Sequence, residues 1–328
     1  MASYANGVSD MGRGRTLLLR LLAAGLPPPG QFPLNERQPE PGLFGPGSAT
    51  WEVMREPLLI LGAARALLMQ AAHPLVAQGA LDHSDFAADP IGRFQRTAGW
   101  VTSVVFGTTE EAQAATRQVN QLHRAVTGEL PQEHATGAWV PGSDYRAQDR
   151  NLLLWVHASL IDAMLTTHRT VIGSLRPGEG DRFVREWDAI ARLMGLPDGS
   201  TWESEAGMQE WIDGQVRQGF ALPGAGSRQV ARVILAPGVG GPGLAKVTGF
   251  ITAGMLPDRI RRRFGIGWTP AHQLAFRGLA LSLRSARPAL PRALRVSPVY
   301  DFAVARVSGE LLRGSDRADR LLSRLRLA

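Results

Sequence analysis

Residues 150–173 read RNLLLWVHASLIDAMLTTHRTVIG, and this stretch decides the fold. Apolar residues fall on most sides of a helix drawn through it, including Leu152, Trp155, Ile161 and Leu165. A helix that is apolar nearly all round must be enclosed by other elements. The sequence therefore predicts a central helix that starts after Asp149.

Helical patterns flank this stretch on both sides. Asp89-Pro90 combines an N-cap residue with a proline in the first turn, and residues 108–111 (TTEE) have the spacing of a capping box. The helix that starts there has apolar residues three and four apart, which predicts an inward stripe of Ala112, Ala115, Val119, Leu122 and Val126. Predicted helices cover 50 or 57 to 79, 89–107, 108–128, 150–173, 181–194, 200–220, 243–255, 270–284, 299–312 and 316–326.

The fold class and the domain limits follow from this pattern. One run, residues 230–235, resembles a strand, and no internal repeat is evident. Residues 1–48 are rich in Gly, Pro and Arg with little periodicity, which predicts a flexible arm. We expect an all-α protein with one multi-helix domain over residues 49–328, ending in basic helices.

Composition excludes several classes of site. The chain has 328 residues, is 44% hydrophobic and contains no cysteine. Disulfide frameworks, Cys-ligated zinc, iron–sulfur clusters, thiolate-ligated haem and cysteine nucleophiles are therefore excluded.

The net charge of +7 is unevenly distributed along the chain. Residues 259–328 contain 15 arginines and 4 acidic residues. A solvated basic face is the simpler interpretation, and an anionic surface or nucleic acid is the alternative. No nucleic-acid-binding motif is present, so we expect no nucleic-acid partner.

Neither a membrane span nor an export signal is expected. The longest apolar region, residues 57–80, is interrupted by Arg65, Gln70 and His73, and Arg20 interrupts the apolar run near the N terminus. These features favour a cytoplasmic protein. The oligomeric state stays open.

One apparent nucleotide-binding motif lacks the strand and helix that such a motif requires on either side. Residues 238–243 (GVGGPG) match a dinucleotide fingerprint, but Pro237 and Pro242 bracket the turn and no strand–helix alternation surrounds it. A loop between helices is the better interpretation. No Glu-x-x-His pair occurs, which argues against a carboxylate-bridged di-iron site.

Histidines concentrate in one part of the chain. All but His272 lie within residues 73–168, at His73, His83, His123, His134, His157 and His168. His123 borders the apolar stripe of its helix, and His157 shares a face with Leu153 and Ile161. Each is either a hydrogen-bonded core residue or part of a histidine-lined pocket. Arg93 and Thr97, four residues apart, share a helical face; Arg93 is either a surface cation or a partner for an anionic group.

A series of short motifs supplies further information. They occur in order at 72–79 (AHPLVAQG), 83–86 (HSDF), 93–97 (RFQRT), 105–107 (VFG), 123–126 (HRAV) and 155–158 (WVHA), with FG at 264–265 and LPRALR at 290–295 nearer the C terminus. Together they resemble the family of the rubber oxygenases (latex clearing proteins) and the fungal oxygenase of mycophenolic acid biosynthesis. The resemblance covers roughly residues 51–300.

The resemblance implies a globin-like helical core, a non-covalent haem b, and attack by O2 on a hydrophobic substrate. His123 then corresponds to the iron ligand, and its other ring nitrogen is expected to donate to a carbonyl or carboxylate. Arg93 and Thr97 match a pair beside the haem, with binding and catalytic roles. His73 and His157 also match family positions, which makes His73 a candidate for haem binding and His157 a candidate for catalysis.

Two departures from the family bear on the substrate. Arg96 stands where the rubber-cleaving branch has a lysine that can bind iron, and an arginine does not deprotonate to do so. The stretch that carries a carboxylate base in that branch reads Ala77-Gln78-Gly79. We therefore expect a haem-b oxygenase or oxidoreductase that acts on a small hydrophobic metabolite other than polyisoprene. A helical protein with another cofactor or none, and a non-catalytic haem or hydrophobic-ligand carrier, are the alternatives.

Overall fold

Caps and apolar faces place most helices where the sequence predicts them. The computed structural model describes residues 39–84, 88–236 and 241–310, and it confirms a mostly helical fold. Most of the predicted arm, the predicted helix at 316–326 and residues 238–240 of the Gly-rich loop lie outside the described residues.

The first half of the described chain leads up to the central helix. Its α-helices are α1 (Ala49–Met54), α2 (Ala63–Ala71), α3 (Pro74–His83), α4 (Pro90–Phe106) and α5 (Thr109–Arg124). A 3-10 helix (Pro57–Gly62) precedes α2, and two short strands, β1 (Thr127–Glu129) and β2 (Asp144–Arg146), follow α5.

The second half begins with the central helix and surrounds it. Its elements are α6 (Arg150–Thr167), a π-helical turn (His168–Ile172), α7 (Glu179–Glu186), α8 (Asp188–Leu193), α9 (Glu205–Arg217), α10 (Ala225–Ile234), α11 (Gly241–Met255), α12 (Asp258–Arg263), α13 (Pro270–Ala286), α14 (Arg292–Arg295) and α15 (Pro298–Val307).

The central position predicted for α6 is confirmed. Most of its residues are buried, and it packs against α1, α2, α9 and the first 3-10 helix. Trp155 is completely buried, and its indole N–H donates to the carbonyl of Met69 in α2 at 3.0 Å. The large indole thus fills space between α6 and α2 while its single donor stays paired.

The single helix predicted up to residue 79 is wrong, because the chain turns sharply at His73-Pro74. Proline has no N–H to continue a helix and forces the preceding residue out of the helical region. His73 accordingly adopts φ −81° and ψ 118°. The segments Pro57–Ala71 and Pro74–His83 meet at 104°. No single helix of the described segments is long and apolar enough to cross a membrane. The two segments of this bent pair reach that length and apolarity only when they are taken together.

Local patterns misplaced three further elements. The strand-like run at 230–235 lies largely within α10, where Val230 and Ala231 are buried against α2 and α3. Tertiary packing of one helical face therefore overrides the strand preference of Val and Ile. The helix predicted at 181–194 is divided at Trp187, and α9 starts at Glu205 with Ser204 as its N-cap, not at Ser200.

The strands β1 and β2 were not predicted. They pair antiparallel, with Gly128 opposite Tyr145. Three residues each give too short a pattern for alternation to be recognised.

The last helix, α15, docks on the end of α4. Arg306 of α15 is almost completely buried, and its guanidinium donates to the carbonyl of Phe106 at 2.8 Å. Phe302 and Ala303 of α15 belong to the main core cluster. Helix α15 therefore packs into the same core cluster as Trp51 of α1 and Trp155 of α6.

A buried ion pair joins α6 to its neighbours. Arg65 of α2 and Asp162 of α6 lie 2.6 Å apart and are only 3% and 4% exposed. Arg65 also donates to the carbonyl of Met255 at the end of α11 (2.9 Å), and Gln209 of α9 donates to Asp162 (2.7 Å). One carboxylate–guanidinium pair thus links four helices.

We expect Asp162→Ala to lower the free energy of unfolding by about 3–5 kcal/mol, because it leaves the Arg65 charge buried without its partner. Urea denaturation followed by circular dichroism measures this. Glu210→Ala, which removes the exposed pair with Arg217, is the matched control and should cost less than about 1 kcal/mol. Equal losses in the two variants would contradict the structural role of the buried pair.

Candidate functional site

Three of the predicted site residues, Arg93, Thr97 and His123, lie on two adjacent helices, α4 and α5. The side chain of Asp89 accepts from the N–H of Gly92 at the start of α4 (2.8 Å). The capping box predicted at the start of α5 is confirmed, since Thr108 and Glu111 cap each other's backbone N–H groups. The short connection through Gly107 and Thr108 makes α4 and α5 an antiparallel pair.

The register of this pair brings Arg93 and His123 together. Trp100 of α4 donates its indole N–H to the hydroxyl of Thr116 in α5 at 3.3 Å. Arg93 lies seven residues before Trp100, and His123 lies seven residues after Thr116. Because seven residues make about two helical turns, both residues reach the same level and face the same side as that hydrogen bond. The charge of Arg93 does act on His123, since it contributes to lowering the pKa of the imidazole.

The imidazole of His123 has the properties of an unused ligand. Burial first, and the neighbouring Arg93 guanidinium second, lower the pKa of His123 below its ordinary value of 6.5. The ring is therefore neutral at pH 7, which is the form that binds a metal. Its Nδ1 atom is buried and has no hydrogen-bond partner in the described part of the chain.

A ring nitrogen of His123 was expected to donate to a carbonyl or carboxylate. No hydrogen-bond partner for its Nδ1 is found among residues 39–84, 88–236 and 241–310. The neighbouring guanidinium of Arg93 cannot supply this acceptor, because a guanidinium offers donors only. Nδ1 of His123 is therefore a buried ring nitrogen without a hydrogen-bond partner among the described residues.

Arg93 and Thr97 take different positions, although they are one turn apart. Arg93 is half-buried, and its guanidinium donates to the hydroxyl of Ser84, directly after α3. Burial, and then the charge of Arg96, lower the pKa of Arg93. Thr97 is exposed, and its hydroxyl donates to the Arg93 carbonyl at 3.1 Å. Arg93 therefore faces the space beside His123, whereas Thr97 lies at its outer rim.

Ser84 was missed as a site residue from the sequence. It orients Arg93 from a third element, and nothing in helical periodicity connects residues 84 and 93. The available signal was its position within the motif at 83–86, which precedes the arginine motif in the chain. Arg96 instead pairs with Asp89 at 3.2 Å, on the exposed side of α4.

His157 and His73 occupy a different region from His123, the core around α6. Burial lowers the pKa of His157 to about 4, and its ring lies 6.0 Å from that of Trp187. Burial lowers the pKa of His73 to about 3, and its ring lies 6.3 Å from that of Trp155. Side chains two residues apart on a helix point about 200° apart. Because Trp155 and His157 are two apart, the His157 side chain projects from the side of α6 roughly opposite to the one that faces His73.

Two expectations about neighbouring residues are wrong. His134 follows Pro131, Gln132 and Glu133 in the sequence, which predicts a polar loop. It is instead buried, because its short 3-10 helix folds against α10, and its Nδ1 lies 2.6 Å from the Gln78 amide oxygen. Leu122, expected in the inward stripe of α5, is 69% exposed. The stripe leaves the core at the C-terminal end of α5, so Leu122 stands at the surface directly before His123.

No group of three or more His, Asp or Glu side chains in the described segments is arranged to hold a metal ion. A metal bound at His123 would therefore have one protein ligand from this region, the neutral imidazole.

The neutral state of His157 predicts a pH dependence of stability. In the unfolded chain a histidine titrates near pH 6.5, whereas His157 in the fold stays neutral down to about pH 4. Unfolding therefore takes up a proton between these values, and the stability present above pH 6.5 is lost as the pH falls, by about 1.4 kcal/mol per pH unit.

His157→Phe should reduce this slope by about 1.4 kcal/mol per pH unit, which corresponds to the uptake of one proton fewer on unfolding. The measurement is urea denaturation at several pH values between about 5 and 6.5. His272→Gln, at the exposed start of α13, is the control and should keep the wild-type slope. An unchanged slope in His157→Phe would contradict a neutral, buried His157.

Comparison with known proteins identifies the family. The sequence model of one family, described as "ER-bound oxygenase mpaB/B'/Rubber oxygenase, catalytic domain", matches residues 51–285. No curated protein and no solved structure gives a significant match. The family match contains most of α1, all of α2–α12, nearly all of α13 and every candidate site residue, and it extends over more than half of the chain. The chain therefore belongs to the oxygenase family of mpaB/B' and the rubber oxygenases.

Proposed function

We propose that this protein is a haem-b-dependent oxygenase that acts on a small hydrophobic metabolite, with His123 as the iron ligand. The observation that carries the proposal is the pairing of a neutral, half-buried imidazole with a guanidinium at one level of α4 and α5. Membership in an oxygenase family supports the reaction type.

The residues present fit a haem. Its iron takes a neutral imidazole as an axial ligand, and the buried Nδ1 of His123 lacks any other partner in the described structure. Its propionates are anionic, and a guanidinium pairs with a carboxylate through charge-assisted hydrogen bonds. In this assignment His123 holds the iron and Arg93 holds a propionate.

The other residues then have supporting roles. When bound, the haem supplies the activation of O2. Ser84 holds the Arg93 guanidinium in place, and Thr97 completes the rim beside it. His73 and His157 are also neutral, and each has a buried ring nitrogen without a hydrogen-bond partner among the described residues. No guanidinium acts on the pKa of either ring, in contrast to His123, so we assign both histidines to the core around α6 rather than to catalysis.

An exposed apolar side chain beside the imidazole favours a hydrophobic substrate. Leu122 is exposed directly before His123, whereas Trp100 and Val101 of α4 pack against the core about two turns from the level of His123. The same apolar surface would serve a carrier that binds haem or a lipid without turnover, so turnover has to be tested directly.

We expect protein purified after expression with added haem precursor to show a Soret band, and His123→Ala to lose it, since the iron loses its protein ligand. His272→Ala is the control and should retain haem at the wild-type ratio, because His272 caps α13 away from the α4–α5 pair. A colourless but folded wild type overturns the haem assignment. Loss of the band in His157→Ala, but not in His123→Ala, would move the ligand to α6.

Oxygen uptake by the haem-loaded protein separates oxygenase from carrier. The probes are isoprenoid alcohols and unsaturated fatty acids, each with and without ascorbate. Uptake that depends on a probe and disappears in His123→Ala supports the oxygenase. A stable Soret band without uptake for any probe favours the carrier.

Arg93→Ala should weaken haem retention by roughly tenfold to a hundredfold, because a hydrogen bond between charged groups contributes about 1.5–3 kcal/mol. Competition with apomyoglobin measures the change. Arg96→Ala is the matched control, because Arg96 lies about one helical turn from Arg93 and pairs with Asp89 at the surface. Equal effects of the two substitutions would show that Arg93 acts only through general charge.

A further inference from the structure

Helix α13 exposes an apolar face that the described residues leave uncovered. Leu274 and Leu281 are 74% and 60% exposed. They lie seven residues apart, so they fall on one side of the helix, about two turns from each other. Small, uncharged residues complete this face, at Ala271, Ala275, Gly278, Ser282 and Ser285.

Arginines line one edge of that face. Arg277 and Arg284 are also seven residues apart and exposed, and helical geometry places them beside the two leucines. Helix α13 contains no acidic residue. Neither arginine has an ion-pair partner in the described part of the chain, whereas Arg287, immediately after the helix, is paired with Glu56.

A cleft continues the arginine edge. It has a volume of about 320 Å³ and lies where α13 meets the π-helical turn, with Arg176 and Arg284 in its wall. A third arginine of the cleft, Arg169, is bound by Glu205. Asp181 there accepts the backbone N–H of Glu205 (2.9 Å). The acidic groups of the cleft are therefore engaged, and the guanidiniums of Arg176 and Arg284 have no carboxylate partner among the described residues.

A second copy of the chain is a poor occupant of this face. In a symmetric antiparallel pairing of two α13 helices, the twofold axis places both arginine edges on the same side. Arg277 and Arg284 of both copies would then face one another, and α13 has no acid to compensate for the repulsion. The charge pattern requires an anionic partner.

We propose that α13 docks this protein on the surface of an anionic lipid bilayer. Leu274 and Leu281 enter the boundary between headgroups and acyl chains. Arg277 and Arg284 keep their stems along the apolar face while their guanidiniums bind lipid phosphates. The cleft with Arg176 receives a further anionic headgroup. This docking does not depend on the haem assignment.

Sedimentation with vesicles tests the proposal on the full-length protein. The vesicles consist of phosphatidylcholine alone or of phosphatidylcholine with about one quarter phosphatidylglycerol. We expect roughly tenfold or greater preference for the anionic vesicles, reduced by high salt. Leu274→Ser/Leu281→Ser and Arg277→Gln/Arg284→Gln should each weaken binding to them by roughly tenfold.

Matched controls separate the face from general charge and apolarity. Val140→Ser removes an equally exposed apolar side chain elsewhere, and Arg228→Gln removes an exposed arginine of α10. Both should bind anionic vesicles like the wild type. Circular dichroism checks that each variant is folded.

Three results would overturn the proposal. The wild type could bind neutral and anionic vesicles alike or neither, or the controls could lose as much binding as the α13 variants. Alternatively, sedimentation velocity could show a dimer that Leu274→Ser/Leu281→Ser dissociates, with vesicle binding unchanged. That last result would assign the face to a second copy.

Discussion

The ion pair between Arg65 and Asp162 is the constraint on which the rest of this structure depends. A guanidinium and a carboxylate that are both withdrawn from water must remain together, and further hydrogen bonds help to offset the loss of water. Here such bonds run from Arg65 to the end of α11 and from Gln209 of α9 to Asp162, so the pair joins four helices, while Nη1 of Arg65 has no hydrogen-bond partner among the described residues. Trp155, also on α6, adds an apolar contact and a second buried hydrogen bond to α2. The central helix is thereby fixed both along its length and in its rotation.

The candidate site lies away from this center and is built by a different means. Two capped helices, joined by a short connection, hold Arg93 and His123 at one level through a register that the Trp100–Thr116 hydrogen bond marks. The caps fix the residue at which each helix begins. Antiparallel packing of the two helices then fixes which of their side chains lie at the same level. The site thus has a rigid base, while its rim at Thr97 and Leu122 is exposed and open to a ligand.

Several sequence patterns were ambiguous for reasons that the structure explains. The apolar stripe predicted for α5 runs through Leu122 to Val126, but a stripe indicates burial only as far as a neighbouring element covers it. The polar surroundings of His134 in sequence suggested a loop, yet Gln78 and Gln229 come from two other helices to satisfy both ring nitrogens. The Val/Ile run at 230–235 favoured a strand, although its neighbours on α2 and α3 accept a helical face. In each case the deciding contact joins residues that are far apart in the chain.

The sequence by itself determined the helical class, the central helix at 150–173, the capped starts of α4 and α5, and the family to which the chain belongs. These features depend on composition, on spacing within one or two turns, and on the order of short motifs, all of which are local. Only the tertiary structure decided that Arg93 is close enough to His123 to lower its pKa, that Ser84 holds Arg93, and that His73 and His157 lie on opposite sides of α6. Which side chains meet across two helices depends on their register and packing angle, and these follow from the shape of the whole core rather than from any one segment.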